Sequence, residues 1–184
     1  MKKHETVRLT LLAVTVSIAM ILSFIESRIP PLVAIPGIKV GLANIAVIFA
    51  LYKLGIGAAI SVSLVRVLLV SFLFGSPVSM IYSITGATLS LLVMIPLKKL
   101  SPLGEVGISV VGGIFHNVGQ ITAASIMMET AVVIYYLPFL LLSGTLAGIA
   151  VGATAALLIK KVKFRGFDDW KPPTPDTNTK GETE

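Results

Sequence analysis

Cysteine is missing from all 184 residues, which rules out disulfides, thiolate nucleophiles and cysteine-bound metals. Charge is scarce at 13 %, and the nine acidic residues are outnumbered by fifteen basic ones. Histidine occurs only as His4 and His116, too few for a metal site by the usual ligand counts. There is no GxxxxGK[ST] loop to cradle a nucleotide's phosphates, so ATP hydrolysis by this chain is excluded. A nucleophile elbow is also lacking. The only paired aspartates, Asp168 and Asp169, stand beside Trp170 in a polar C-terminal stretch, with no second carboxylate cluster to help hold magnesium. No cofactor is expected.

What remains is mostly hydrocarbon. Fifty-five per cent of residues are hydrophobic, and apolar runs recur until Lys163. The runs show no strict alternation, which argues for helices over a membrane barrel. Spans are expected at about 7–25, 40–53, 55–74, 78–97, 106–128 and 132–159, each judged against the roughly 20 residues needed to cross a bilayer. The second is short for that task and either begins earlier or is tucked inside the bundle. The first follows Lys2 and Lys3, yet exceeds a signal-peptide core and lacks a small-residue cleavage site, so it reads as a retained span. The expected fold is therefore an all-α integral membrane bundle of six transmembrane helices (1–163), with a polar, disordered cytoplasmic tail (164–184).

The basic residues set the orientation. With the N-terminus inside, Lys2, Lys3, Arg8, Lys53, Lys98, Lys99, Lys160, Lys161, Lys163, Arg165, Lys171 and Lys180 all fall on the cytoplasmic side. Only Arg28 and Lys39 fall outside, and this asymmetry predicts that both termini are cytoplasmic. The same scatter explains the net charge of +6 without nucleic acid as a partner. Residues 26–41 hold three prolines and two glycines among apolar side chains. They are read as non-helical: either a stiff connector on the membrane surface or a lid over the outer mouth.

Arg66 lies within an uncharged apolar run, where a guanidinium requires a partner, water or a ligand. Asn44, His116, Asn117 and Gln120 complete the intramembrane polar set. On the fifth helix, the latter three share one side at spacings of three and four, with Ser109 and Gly113 continuing the stripe. Such a stripe must face inward. Two readings stay open. These groups either tie helices together, at about 0.6 kcal/mol per bond, or line a binding site. Arg66 likewise either pairs with Glu26 or clasps a carboxylate or phosphate through its fork. Gly144, Gly148 and Gly152, four apart, predict a flat packing face on the last span, as do Gly55, Ala59 and Ser63 on the third.

Residues 37–45 (GIKVGLANI) and 112–121 (GGIFHNVGQI), in a chain of this size, resemble the heptaprenyl diphosphate synthase component I proteins, also called the Gx transporter family. That family is similar to the substrate-capture (S) components of energy-coupling factor (ECF) transporters. The resemblance, over about residues 7–160, implies six helices and an outer pocket covered by the first loop. It implies that a lid over residues 37–45 and the stripe His116–Gln120 line the pocket; with Pro36, Gly37 and Gly41 as the lid, the expected substrate contacts are Arg66, read from its place in the apolar run, and His116, Asn117, Gln120, Lys39 and Asn44. It further implies a coupling membrane protein and two ATPase subunits as partners, docked on small residues of the first span: Ala13 with Ser17, or Thr15 with Ala19. The expected function is a plasma-membrane, multi-pass, non-enzymatic subunit for capture of a small anionic or amphipathic molecule, an isoprenoid precursor being one candidate. The alternatives are a non-catalytic membrane subunit of a heptaprenyl diphosphate synthase and a self-sufficient facilitator or channel.

Overall fold

The computed structural model describes residues 3–28 and 41–162. Every regular element among them is helical: α1 (Lys3–Arg28), α2 (Asn44–Phe49, continued as a π-turn over Ala50–Leu54), α3 (Ile56–Phe74), α4 (Pro77–Leu100), α5 (Glu105–Met127) and α6 (Leu137–Lys161). All but α2 are long and apolar enough to cross a membrane. Their surface is inverted relative to a water-soluble protein. Large apolar side chains such as Leu9, Ile21, Phe72, Leu92 and Leu146 point outward, whereas Ser63, Ser90, Ser109, Asn117 and Gln120 are buried.

Helix boundaries follow local chemistry. α1 continues through Arg28, three residues past the expected end of the span, so residues 26–28 are helical rather than loop. The first proline is Pro30, and its steric demand falls on the residue just before it, which leaves residue 28 free to stay helical. Between α3 and α4 the stop is Gly75 and the start is a reciprocal cap. The Ser76 hydroxyl accepts from the Ser79 N–H at 3.2 Å, the Ser79 hydroxyl accepts from the Ser76 N–H at 3.0 Å, and Pro77 occupies the first turn. At the start of α6 a 3₁₀ turn over Val132–Tyr136 precedes Pro138, another proline placed where its missing N–H costs nothing.

α2 is the element that sequence length left open. Its Asn44–Leu54 stretch rises about 16 Å at 1.5 Å per residue, half a bilayer core. Ile45, Ala46, Val47, Ile48, Ala50 and Leu51 are all buried, so the helix is wrapped by protein and packs against α1, α3 and α6. Apolar all round, it belongs in the centre of the bundle. The π-turn ends where the Gly55 N–H donates to the Ala50 carbonyl at 2.9 Å, and Gly55 takes φ +99°, a conformation that favours glycine. Across from it, the Lys98 ammonium donates to the Leu51 carbonyl and lies 4.8 Å from the Tyr52 ring centroid. Lys98→Met keeps the apolar stem and removes the charge. It is expected to cost about 1–3 kcal/mol, read as a lower thermal midpoint in detergent, and an unchanged midpoint would show that the tie adds no stability.

The most extensive helix contacts are α5 with α6 and α5 with α4. Glycine makes them close. A Cβ at Gly148 would lie 2.6 Å from Val110 Cα, and one at Gly152 would lie 2.7 Å from Val106 Cα. One at Gly119 would lie 2.8 Å from the Thr85 carbonyl oxygen. The packing face expected at Gly144, Gly148 and Gly152 is thus the α5–α6 seam. Ala59 and Ser63 are buried within the bundle as well.

Candidate functional site

α3, α4 and α5 bring polar groups together at the end of the bundle where α1 and α3 finish and α4 begins. The resulting cavity has a volume of about 100 Å³. Arg66 enters from α3, His116 and Gln120 from α5, Ser23 and Glu26 from α1, and Ser79 and Ser83 from α4, with Gly41 and Asn44 between them. A second cavity of about 40 Å³ continues inward along α5, lined by Ser109, Gly112, Gly113, His116, Asn117 and Gln120 and closed by α6 at Gly144 and Gly148. Gly41, Asn44, His116 and Gln120 border both. The two chambers therefore adjoin.

Small residues set the positions of the larger ones. A Cβ at Gly86 would sit 2.8 Å from the His116 carbonyl oxygen and 2.9 Å from Gln120 Cγ, so this glycine lets α4 approach while leaving room for the Gln120 side chain. Gly41 has φ +76°, a turn geometry suited to glycine, and its carbonyl accepts from the Asn44 N–H at 2.9 Å. That turn aims the Asn44 side chain at Arg66, whose Nη2 donates to Asn44 Oδ1 at 3.4 Å. The bond is long, and Arg66 Nε is buried with no partner. Glu26 lines the same cavity, but its carboxylate accepts from the Gly41 N–H, and among the described residues it closes no ion pair with Arg66. Gln120 is 6 % exposed and its amide oxygen is also unpartnered. An unmatched buried donor or acceptor costs about 1–3 kcal/mol, and this site holds one of each, the Arg66 Nε–H and the Gln120 amide oxygen.

The sequence-predicted residues fall in five places. Arg66, His116, Gln120, Asn44 and Gly41 border the larger chamber. Asn117 borders only the smaller one, and its amide donates to the Leu140 carbonyl at 2.7 Å, tying α5 to α6. Lys39, Pro36 and Gly37 lie outside the described residues. On α1, Thr15 and Ala19 are buried against the bundle, and Thr15 donates to the Leu11 carbonyl at 2.7 Å. Ala19 belongs to the core that surrounds α2. Ala13 and Ser17 occupy the exposed face.

Sequence reading missed Ser23, Ser27, Ser71, Ser79 and Ser83, all of which line the larger chamber. The available signal was spacing: Ser23 and Ser27 are four apart on α1, as are Ser79 and Ser83 on α4. A larger hollow, about 370 Å³, opens between α1 and α3 at the opposite end, bordered by Leu9, Leu12, Leu54 and Gly57 with Glu5 and Arg8 at its rim. It gathers no comparable set of buried polar groups.

Residues 15–158 match the family model described as heptaprenyl diphosphate synthase component I, more than three quarters of the chain. No curated protein and no solved structure matches it.

Proposed function

The chain belongs to the heptaprenyl diphosphate synthase component I family, and we propose that it is a membrane-embedded substrate-binding subunit that captures a small anionic or amphipathic molecule. One observation carries this reading. A guanidinium sits in a cavity inside an apolar bundle with its Nε unpartnered, and the Glu26 carboxylate that attracts it across the cavity accepts from the Gly41 N–H without closing an ion pair. A cation in that state favours an anion, because both would otherwise remain poorly solvated. His116, Gln120 and Asn44 would orient the rest of the ligand, with Gly41 and the preceding lid residues closing over it.

The basic residues at the other end of the helices, Arg8, Lys53, Lys98, Lys99, Lys160 and Lys161, support an outward-facing cavity in the plasma membrane. The chain has no phosphate loop, so uptake would draw its energy from partners of the ECF kind: a coupling membrane protein and two ATPase subunits. Ala13 and Ser17, exposed on α1, are the contact assigned to that coupling protein. A second reading is favoured by the family description itself: a non-catalytic membrane subunit of a prenyl diphosphate synthase.

Native mass spectrometry of the gently solubilised protein separates the two. Capture predicts a small anion carried through purification and an ATPase pair in the same complex. A protein that holds no anion, travels with a soluble prenyl synthase and stimulates chain elongation would overturn capture in favour of the second reading.

A further inference from the structure

Gln120 stands out within the site. It is 6 % exposed, it borders both chambers, and its amide oxygen has no hydrogen-bond partner. Of the donors that border the site, Arg66 Nη2 is directed toward Asn44 Oδ1 and the Asn117 amide toward the Leu140 carbonyl. Packing alone gives no reason for the amide, since leucine would fill the space beside Gly86 without leaving an acceptor unmatched. An amide oxygen accepts and cannot donate, so its complement is an O–H or N–H.

Resting on the anion-capture reading, we infer that Gln120 is a specificity-determining residue that accepts a hydrogen bond from a hydroxyl or amino group of the ligand whose anionic group meets Arg66. The substrate class is therefore a small hydroxy- or amino-substituted acid, its anionic end a carboxylate or a phosphate. Size agrees. Chambers of about 100 and 40 Å³ suit a compact molecule. A site that hydrogen-bonds a substrate hydroxyl discriminates strongly against the analogue lacking it, because the buried acceptor is then left unmatched.

The test uses the full chain in mild detergent, with thermal midpoints and calorimetry, and matched probes. The pairs are lactate with propionate, 3-hydroxybutyrate with butyrate, and glycerol 3-phosphate with propyl phosphate. The donor-bearing member of a binding pair is expected to bind about 10- to 100-fold more tightly. Gln120→Leu is expected to bring the two members within about threefold of each other, with the unliganded midpoint unchanged or raised. Equal binding of both members by the unsubstituted chain, abolished in Arg66→Ala, overturns the role of Gln120 and leaves anion capture standing. A lowered unliganded midpoint with the pair preference intact makes Gln120 a packing residue and also overturns it. Should no probe bind, the molecule carried through purification from the native membrane decides: an acid bearing O–H or N–H groups supports the assignment, and an anion with no donor overturns it. A protein empty of ligand and unresponsive to every acid overturns both readings.

Discussion

Arg66→Ala is expected to weaken ligand retention by about 100-fold or more while leaving the bundle folded, since each charge-assisted hydrogen bond is worth about 1.5–3 kcal/mol and the guanidinium fork makes two. Stability should move the other way. The guanidinium costs about 2.5–3.5 kcal/mol at the centre of a membrane helix, and what is set against that cost is one 3.4 Å bond to Asn44 and the attraction of the Glu26 carboxylate across the cavity. Removing the charge should therefore hold or raise the thermal midpoint. A structural strut would give the opposite pair of results: a lower midpoint and undiminished ligand in native mass spectra. Arg66→Lys keeps the charge but loses the planar fork and should retain ligand at an intermediate level.

The second large effect lies in the α5–α6 seam. Gly148→Leu is expected to prevent accumulation of folded protein, and Gly148→Ala to cost about 1–3 kcal/mol by overpacking. The obstacle at Gly148 is backbone, Val110 Cα at 2.6 Å and the Ser109 carbonyl oxygen at 3.0 Å, which no rotamer change can move aside. α6 would have to withdraw from α5 along its length. Gly57→Ala on α3 is the matched control: nothing lies within 4 Å of the new methyl, so the midpoint should hold or rise by the equivalent of at most about 1 kcal/mol. Expression level and thermal midpoints of the three variants check the contrast. An unchanged midpoint for Gly148→Ala would mean that the two backbones are not in contact.

Arg66 and the stripe His116–Asn117–Gln120 were legible in the sequence because polar side chains inside apolar runs are costly and must be accounted for. The serines of the cavity were not legible, for the converse reason. A hydroxyl in a helix can satisfy itself on the carbonyl one turn back, as Thr15, Thr85 and Thr145 do, so its presence carries little information. The central place of α2 was only half visible. Residues 45–51 are apolar on every side, which speaks for burial, but no residue says which neighbours enclose them. The facing of α1 could not be read at all. Its apolar residues surround the helix, so Ala13 with Ser17 and Thr15 with Ala19 were equivalent until packing hid the second pair. Asn117 shows that an inward stripe need not be devoted to one task, since its amide joins helices while its neighbours border the larger chamber.

α4, α5 and α6 touch backbone to backbone through glycines, whereas α3 meets α4 far less extensively than α5 does and otherwise leans on α1 and α2. The larger chamber thus lies between the glycine-packed helices α4–α6 and the less closely packed α1 and α3, which are joined to them through α2. His116 and Gln120 come from the first group, and Arg66, Ser23 and Glu26 from the second. A molecule gripped by guanidinium and amide together would bridge the two groups of helices.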